Sequence, residues 1–188
     1  MGRMLVYVPR MYSREEFQRL ANMVPSDFDE KEEEFWKYVE EQLRTLSGRI
    51  RRVYRDGLSH GGEEGFKHLN PENPDYALIR WLVENGAELH PTEDPLMVAE
   101  TESWIEMLKT QPNPTLLELH QESIKERDGY IVNTINQTLK EDEIGVILIE
   151  PAHKLSLPED IKVIKMCRFE PEDYLNIELQ KSRLETNK

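Results

Sequence analysis

Four charged side chains flank a single helix–strand unit of the sequence, two on the helix and two just after the strand. Arg127 and Asp128 stand on the predicted helix, and Glu150 and His153 follow the predicted strand 144–149. The remainder of the helix climbs about 20 Å and the strand returns about 20 Å, so the two pairs should lie side by side. Charged groups on an apolar helix stripe need partners, and we therefore predict a network among these four residues.

This network has two interpretations. In the functional one, His153 acts as an acid, a base or a ligand, Arg127 binds an anionic group, and a carboxylate orients or accepts protons. The position favours this role, because ligands of open α/β sheets bind outside the carboxyl ends of the strands. In the structural interpretation, the charges only fasten the helix to the strand. The residue types leave both interpretations open.

The ends of two other predicted strands also pair an acid with a histidine. Asp56 precedes His60 in a glycine-rich loop, and His90 lies between Glu88 and Glu93. If these strand ends share one edge of the sheet, imidazole and carboxylate groups together suit a divalent metal ion. The chain has no local HxH or HxxxH spacing. A metal therefore stays one option among others, and its identity is unknown.

Strands alternate with helices along the chain, a pattern typical of an α/β fold. We predict a single layered domain over residues 1–188, with a mixed, mostly parallel sheet flanked by helices and a frayed polar tail from about residue 183. The unbroken apolar run 144–149 suits a central strand covered on both faces. The alternating lysines of 161–166 suit an edge strand. The remaining predicted strands are 5–8, 50–54 and 87–90.

A predicted helix starting at Ser26 carries a dense acidic face. Carboxylates between Glu30 and Glu41 occupy one side, while aromatic and aliphatic residues recur at helical spacing on the other. Such a charge run usually forms a solvated surface, and a docking surface is the other interpretation. Just before this helix, Ser13 and Glu16 match a capping box, which predicts a shorter helix there.

The composition narrows the class of partner. The chain has 188 residues and a formal net charge of -13, which disfavours nucleic acid and anionic membranes, because phosphates are bound by clustered Lys and Arg. No apolar run approaches the roughly 20 residues of a membrane span, and the run 5–8 is too short for a secretory signal. Cys167 is the only cysteine, so a Cys-based zinc site is excluded. We expect a cytoplasmic protein, with homo-oligomerisation left open.

The segments 126–131 (ERDGYI) and 144–153 (IGVILIEPAH) resemble the C-terminal motif of TraB/PrgY-like proteins. Those proteins, with the related erythromycin-esterase-like and ChaN-like groups, pair a similar helix with a strand that ends in a glycine-rich loop and a histidine. The resemblance implies a hydrolase-like or metal-using pocket in which Arg127 and His153 take part. The rest of the chain resembles an uncharacterised prokaryotic α/β protein family of similar length.

Two positions depart from the pattern of that resemblance. Where the first strand of the similar family leads into a histidine, Val8 and Pro9 are followed here by Arg10. The small residues expected before His153 are replaced by Glu150 and Pro151. Both departures fall where a site would be built, so a binding-only relative is left open.

Our leading hypothesis is a small-molecule or hydrolase-like pocket at the strand carboxyl ends. Its catalytic candidates are His153, Arg127, Asp128 and Asp56, and its substrate-binding candidates are Glu93 and His60. The alternative is a non-enzymatic interaction protein that uses its acidic helical surface. The substrate and the reaction are not specified by the sequence.

Overall fold

A single parallel sheet forms the centre of the fold. The structure, a computed structural model, describes residues 2–186, with side chains as far as Lys181. The strands are β1 (Arg3–Pro9), β2 (Ile50–Arg55), β3 (Glu88–Leu89), β4 (Ile144–Ile149) and β5 (Ile161–Lys165). They are ordered β3-β2-β4-β1-β5, and every neighbouring pair runs parallel. The predicted α/β fold is confirmed. The described sheet is parallel throughout and not mixed, because each connection brings the chain back to the end of the sheet at which the previous strand began.

β4 is the central strand, as its apolar sequence predicts. All six of its residues are buried between β2 and β1. Gly145 leaves room for Leu5, Tyr54 and Leu139, whose side-chain carbons lie 3.2 Å from the place a Cβ would occupy. β5 lies at the sheet edge with four of its five residues exposed, also as predicted. This order puts the carboxyl ends of β1, β2 and β4 side by side.

The helices described within residues 2–186 are α1 (Arg14–Ala21), α2 (Phe28–Arg44), α3 (Gly62–Lys67), α4 (Pro74–Glu84), α5 (Pro95–Thr110), α6 (Pro114–Thr138) and α7 (Pro171–Thr186). The predicted capping box starts α1, since the Ser13 side chain accepts a hydrogen bond from the Glu16 backbone. Helix α2 begins at Phe28 and not at Ser26, and its N-cap Asp27 makes no side-chain capping bond. Residues 114–138 form one continuous helix.

Helix α3 departs from the glycine-rich loop expected through residue 62. It has only six residues and includes two glycines, so it carries no helical periodicity that a sequence pattern could reveal. Gly65 packs against the backbone of His60, where a Cβ would collide with the carbonyl group. The glycine therefore serves the close approach of this helix to the preceding loop.

Different helices cover the two faces of the sheet. One face packs against α1, α2, α4 and α7 through residues such as Phe17 and Leu78. The other packs against α6 through Ile131 and Ile135. Beside α6, this second face is overlaid by the helix-free segment 150–160, which links β4 to β5. The segment leaves an opening over β1 and β5.

Helices α5 and α6 form an antiparallel hairpin that is tied by a hydrogen bond of 3.3 Å from Thr101 Oγ1 to Ser123 Oγ.

No described helix combines the length and apolar character needed to cross a membrane. The frayed tail expected from about residue 183 is not tested. The α7 backbone continues to Thr186, while the side chains beyond Lys181 and residues 187–188 lie outside the described residues.

Candidate functional site

A cluster of charged side chains lies at the carboxyl ends of β1, β2 and β4. We call it the polar cluster, and its members are Arg10, Asp56, Asp128, Glu150 and His153. Backbone hydrogen bonds fix its base, since Arg10 N–H donates to the carbonyl of Ile149 at 2.8 Å and Asp56 N–H to that of Leu148 at 3.2 Å. The end of β4 therefore holds the ends of both neighbouring strands in place.

His153 is buried, and it contacts Asp128, another member of the predicted network. Its Nδ1 lies 2.5 Å from Oδ1 of Asp128, while Oδ2 accepts a hydrogen bond from the Lys154 N–H at 3.1 Å. An ionised carboxylate can only accept, so Nδ1 carries a hydrogen and donates it. Nε2 faces Asp56, whose Oδ2 is 3.9 Å away. Nε2 is thus the nitrogen left to exchange a proton or to bind a ligand.

Arg10 supplies the central cation of the polar cluster. Its guanidinium donates to both carboxylate oxygens of Glu16 at 3.0 Å and to Asp56 Oδ1 at 3.1 Å. Glu150 Oε2 lies 3.8 Å from the same guanidinium. The two-pronged contact with Glu16 is a strong form of arginine–carboxylate pairing. One buried cation is therefore shared by three carboxylates.

The two carboxyl groups at the centre of the polar cluster have opposite pKa shifts. Burial raises the pKa of Asp56, but the charges of Arg10 and Arg55 outweigh burial and lower this pKa to about 2. Burial also raises the pKa of Glu150, and the Asp56 carboxylate adds to that rise against the opposing charge of Arg10. At neutral pH Asp56 is thus a fixed anion, and Glu150 is the carboxyl group that more readily takes up a proton.

The Asp128 carboxylate is expected to control the protonation of His153. Burial lowers the pKa of the imidazole, but the hydrogen bond to Asp128 and the charge of Asp56 outweigh burial, so the pKa is raised. Stability from the charged ring is then present below a pH of about 6.5 and is lost as pH rises through the folded-state pKa.

We expect Asp128→Asn to lower the pKa of His153, measured by NMR titration of its ring signals. Glu126→Gln, at an exposed position of the same helix, should leave that pKa unchanged, and equal pKa values in both variants would contradict the expectation.

Asp56, Glu150 and His153 offer the donor set of a divalent-metal site. One ligand atom from each lies within 4.8 Å of the others, whereas atoms sharing an ion with bonds near 2.1 Å lie up to about 4.2 Å apart. Asp128 on Nδ1 would leave Nε2 for the ion, as is common for metal-bound histidines. Arg10 already pairs with both of these carboxylates, at 3.1 Å from Asp56 and 3.8 Å from Glu150. The residues therefore fit a metal only if the ion displaces the guanidinium.

Arg127 pairs with Glu93, so the predicted network divides into two parts. The guanidinium Nε and a terminal nitrogen donate to the two Glu93 oxygens at 2.5 and 2.7 Å, and Glu93 also accepts from the Gly57 N–H at 2.7 Å. The Glu93 side chain has no exposed surface. Among the described contacts, Arg127 reaches the polar cluster only through its charge, which opposes protonation of His153. A ligand would meet Glu93 or Arg127 only if this pair opened.

The structure does not bring the other histidines into the polar cluster. His60 is exposed. Its Nδ1 lies 3.0 Å from the Ser59 hydroxyl, and its ring is tilted against that of His68, with the ring centroids 5.6 Å apart. His90 stacks on Tyr54, with ring centroids 5.6 Å apart. The convergence of histidines from several strand ends is therefore not formed, since these described contacts of His60 and His90 are with residues outside the polar cluster. Of the predicted site residues, Asp56, Asp128 and His153 come together.

Sequence reasoning misses Arg10 and Glu16 as members of the site. The signal that finds Arg10 is the register of β1 on β4, which pairs Pro9 with Ile149 and so sets Arg10 beside Glu150. Glu16 follows from the capping box, because the same carboxylate also accepts from the Ser13 N–H at 2.8 Å. The first signal requires knowledge of which strand lies next to β1, and the capping box alone does not show that Glu16 also contacts Arg10.

A cavity of about 610 Å³ adjoins the polar cluster on the side of β1 and β5. His153 and Tyr7 line it together with apolar residues such as Leu155 and Val163. Burial raises the pKa of Tyr7 to about 12, and the charges of Asp128 and Asp56 contribute. The phenol therefore stays protonated at neutral pH and can donate a hydrogen bond into the cavity.

Comparison with protein-family models, with curated proteins and with solved structures finds no match to this chain. The resemblance of 126–131 and 144–153 to TraB/PrgY-like proteins stays an expectation. The function therefore rests on the site itself.

Proposed function

We propose that the protein binds a small molecule in the cavity beside His153 and that His153 exchanges a proton with it in a hydrolase-like reaction. The observation that carries the proposal is a buried Asp128–His153 pair next to a cavity of about 610 Å³. Small-molecule sites commonly enclose about 300–1,000 Å³. The site also lies outside the carboxyl ends of parallel strands, where ligands of open α/β sheets bind.

Proton transfer is the step for which the polar cluster is best equipped. Because Nδ1 is committed to Asp128, Nε2 of His153 is the atom that accepts a proton from water or from a ligand hydroxyl. Asp56, 3.9 Å from Nε2, stabilises the imidazolium that forms. The activated water would attack a carbonyl or phosphoryl centre, and the Tyr7 hydroxyl would donate a hydrogen bond to the oxygen that gains charge.

A divalent ion offers a second route to the same chemistry. Held by Asp56, Glu150 and His153, it would lower the pKa of a bound water molecule. Arg10 competes for these carboxylates, since it contacts Asp56 and lies 3.8 Å from Glu150. Acid–base chemistry by His153 is therefore our first choice.

Thermal unfolding with a panel of divalent cations, carboxylates, phosphate esters, neutral esters and amides tests the proposal. A ligand present at 100 times its Kd stabilises the folded state by about 2.7 kcal/mol, which raises the Tm of a chain of this size by roughly 5–10 °C. We expect at least one compound to raise the Tm of the wild type. The shift should disappear in His153→Ala, because the variant removes the side chain of the polar cluster that lines the cavity.

Two variants locate the ligand. His68→Ala removes an exposed histidine outside the site and should keep the full shift. Val163→Trp fills the cavity from the edge strand without altering the polar cluster, and should lose it; Val163 is 45% exposed, so the larger side chain is accommodated. A shift that survives in both His153→Ala and Val163→Trp would place the ligand elsewhere, and no shift with any compound would count against the site.

Mass spectrometry of the binding compounds then separates catalysis from binding. Water-derived cleavage products with the wild type, but not with His153→Ala, would support a hydrolase-like enzyme. Binding without turnover would identify a binding-only protein, which the departures at Arg10 and Glu150 left open.

A further inference from the structure

A groove runs along the molecular surface between α2 and α4, on the sheet face opposite the cavity. Its volume is about 530 Å³, and its floor includes Trp36, Leu78 and Trp81. Charged residues form its rim, with four carboxylates and two cations: Asp29, Glu32, Glu33, Glu40, Lys37 and Arg44. We call this feature the α2–α4 groove.

One end of the α2–α4 groove shows which chemistry it accepts. The Arg44 guanidinium lies over the Trp81 ring, 4.9 Å from the centroid, and its Nε donates to Glu40 at 3.0 Å. A cation between an indole face and a carboxylate combines a cation–π contact with a charge-assisted hydrogen bond. The groove thus binds its own arginine through contacts that an arginine or lysine of another protein can also make.

Carboxylates outnumber cations at the other end of the groove. Within the part of the chain that the structure describes, Glu32 and Glu33 form no hydrogen bond or ion pair with a basic side chain. Glu32 is only partly exposed, and burial together with the Asp29 carboxylate raises its pKa against the opposing charge of Arg14. A positive charge brought to this end would relieve the repulsion among the carboxylates.

The α2–α4 groove has the length and openness of a site for a polypeptide. Residues 29–44 of α2 extend over about 22 Å, which an extended segment of roughly six to seven residues spans. A second cavity of about 360 Å³ shares Glu32, Trp36 and Pro74 with the groove and continues it toward Arg14. The two cavities therefore share part of their lining beside α2.

We infer that the α2–α4 groove docks a basic segment of a partner protein, in which Lys or Arg side chains alternate with apolar ones. The apolar side chains contact the apolar floor of the groove, and the cations pair with Glu32 and Glu33. The net charge of -13 adds long-range attraction for such a segment. This interaction lies on a different surface from the cavity beside His153 and does not depend on it.

Selection from a displayed library of random 12-residue peptides on the wild-type chain tests the inference. The enriched peptides should carry Lys or Arg next to apolar residues. One of them is synthesised with a fluorescent label, and its Kd is measured by fluorescence anisotropy. Glu32→Lys/Glu33→Lys should weaken binding about 100-fold, because two attractive contacts become repulsive ones.

Glu30→Lys/Glu41→Lys is the matched control. It makes the same change of charge on the same helix at exposed positions that do not line the groove, and it should alter Kd less than about threefold. Equal weakening by the two double variants, enrichment of peptides without basic residues, or no enrichment would overturn the inference. So would a wild-type dimer in analytical ultracentrifugation that only the groove variant abolishes, since a second copy would then occupy the groove. Circular dichroism verifies that both variants are folded.

Discussion

Replacing Arg10 with methionine is expected to lower the free energy of unfolding by about 3–5 kcal/mol, because it leaves buried carboxylates without their cation. Methionine keeps part of the side-chain volume but removes the guanidinium that bonds Glu16 and Asp56. Glu150 also loses the Arg10 guanidinium, which lies 3.8 Å from its carboxylate. Urea denaturation of both proteins at pH 7 measures the difference.

The destabilisation by Arg10→Met should decrease in acid. Arg10 helps to lower the pKa of Asp56 to about 2. A carboxyl group with a lowered pKa stabilises the folded state above its unfolded pKa, and this stability is lost as pH falls through the folded-state pKa. Without Arg10 the pKa of Asp56 rises and the contribution shrinks. The two proteins should therefore differ most near neutral pH, and the difference should narrow as pH falls from about 5 toward the folded-state pKa of about 2.

Arg14→Met serves as the control for Arg10→Met. Arg14 is an exposed arginine whose ion pair with Asp29 is also exposed, so its loss should cost less than about 1 kcal/mol. Divalent cations give a second readout, because Arg10→Met frees the carboxylates that suit a metal. Mn²⁺ or Zn²⁺ should raise the Tm of Arg10→Met more than that of the wild type. Equal losses of stability at Arg10 and Arg14 would contradict a central role for the buried guanidinium.

The sheet could be predicted where a strand's own sequence records its surroundings. The apolar residues of β4 indicate burial on both faces, and the exposed lysines of β5 indicate an edge, so both positions follow from composition. The position of β1 between them does not, because a strand's sequence does not specify its neighbour. Helix α3 escapes prediction for another reason, since its six residues with two glycines are too few to establish a period.

The contacts of the candidate site could likewise be predicted only where they depend on a single stretch of the sequence. The contact between Asp128 and His153 could be predicted because the helix and the strand that separate them have nearly equal lengths. The contact between Arg10 and Asp56 could not, since it depends on β1 and β2 both lying beside β4. The pairing of Arg127 with Glu93 depends on the turn after β2, whose geometry no periodic pattern encodes. A charge on an apolar stripe indicates that a partner exists without identifying it.

Breaking the pair between Glu93 and Arg127 is expected to cost about 3–5 kcal/mol, because one buried charge then remains unpaired. Glu93 joins the turn after β2 to α6, through the Gly57 N–H and the Arg127 guanidinium. Arg127→Met leaves a carboxylate without exposed surface, and Glu93→Leu leaves a largely buried guanidinium. The double variant replaces the pair with apolar side chains and should recover more than half of the summed loss. Urea denaturation of the four proteins completes this double-mutant cycle.

Hydrogen exchange supplies an independent measure of the same pair. Each single variant should speed amide exchange in α5, because Glu93 precedes that helix and anchors its start to the body of the protein. Exchange in β4, which is buried throughout, should change only through global unfolding. Strictly additive losses of stability, with unchanged exchange in α5, would show that the two side chains do not support each other.

The Glu93→Gln variant also decides between the two interpretations of Arg127. In the wild type the Glu93 carboxylate occupies the guanidinium, so an anionic ligand would have to displace it. If Arg127 binds such a ligand, Glu93→Gln removes the competitor, and phosphate or a carboxylate should raise the Tm of the variant more than that of the wild type. If Arg127 is a structural tie, small anions restore little stability, because they cannot also accept the hydrogen bond of the Gly57 N–H in the closed turn. The buried position of Glu93 and its three hydrogen bonds favour the structural tie.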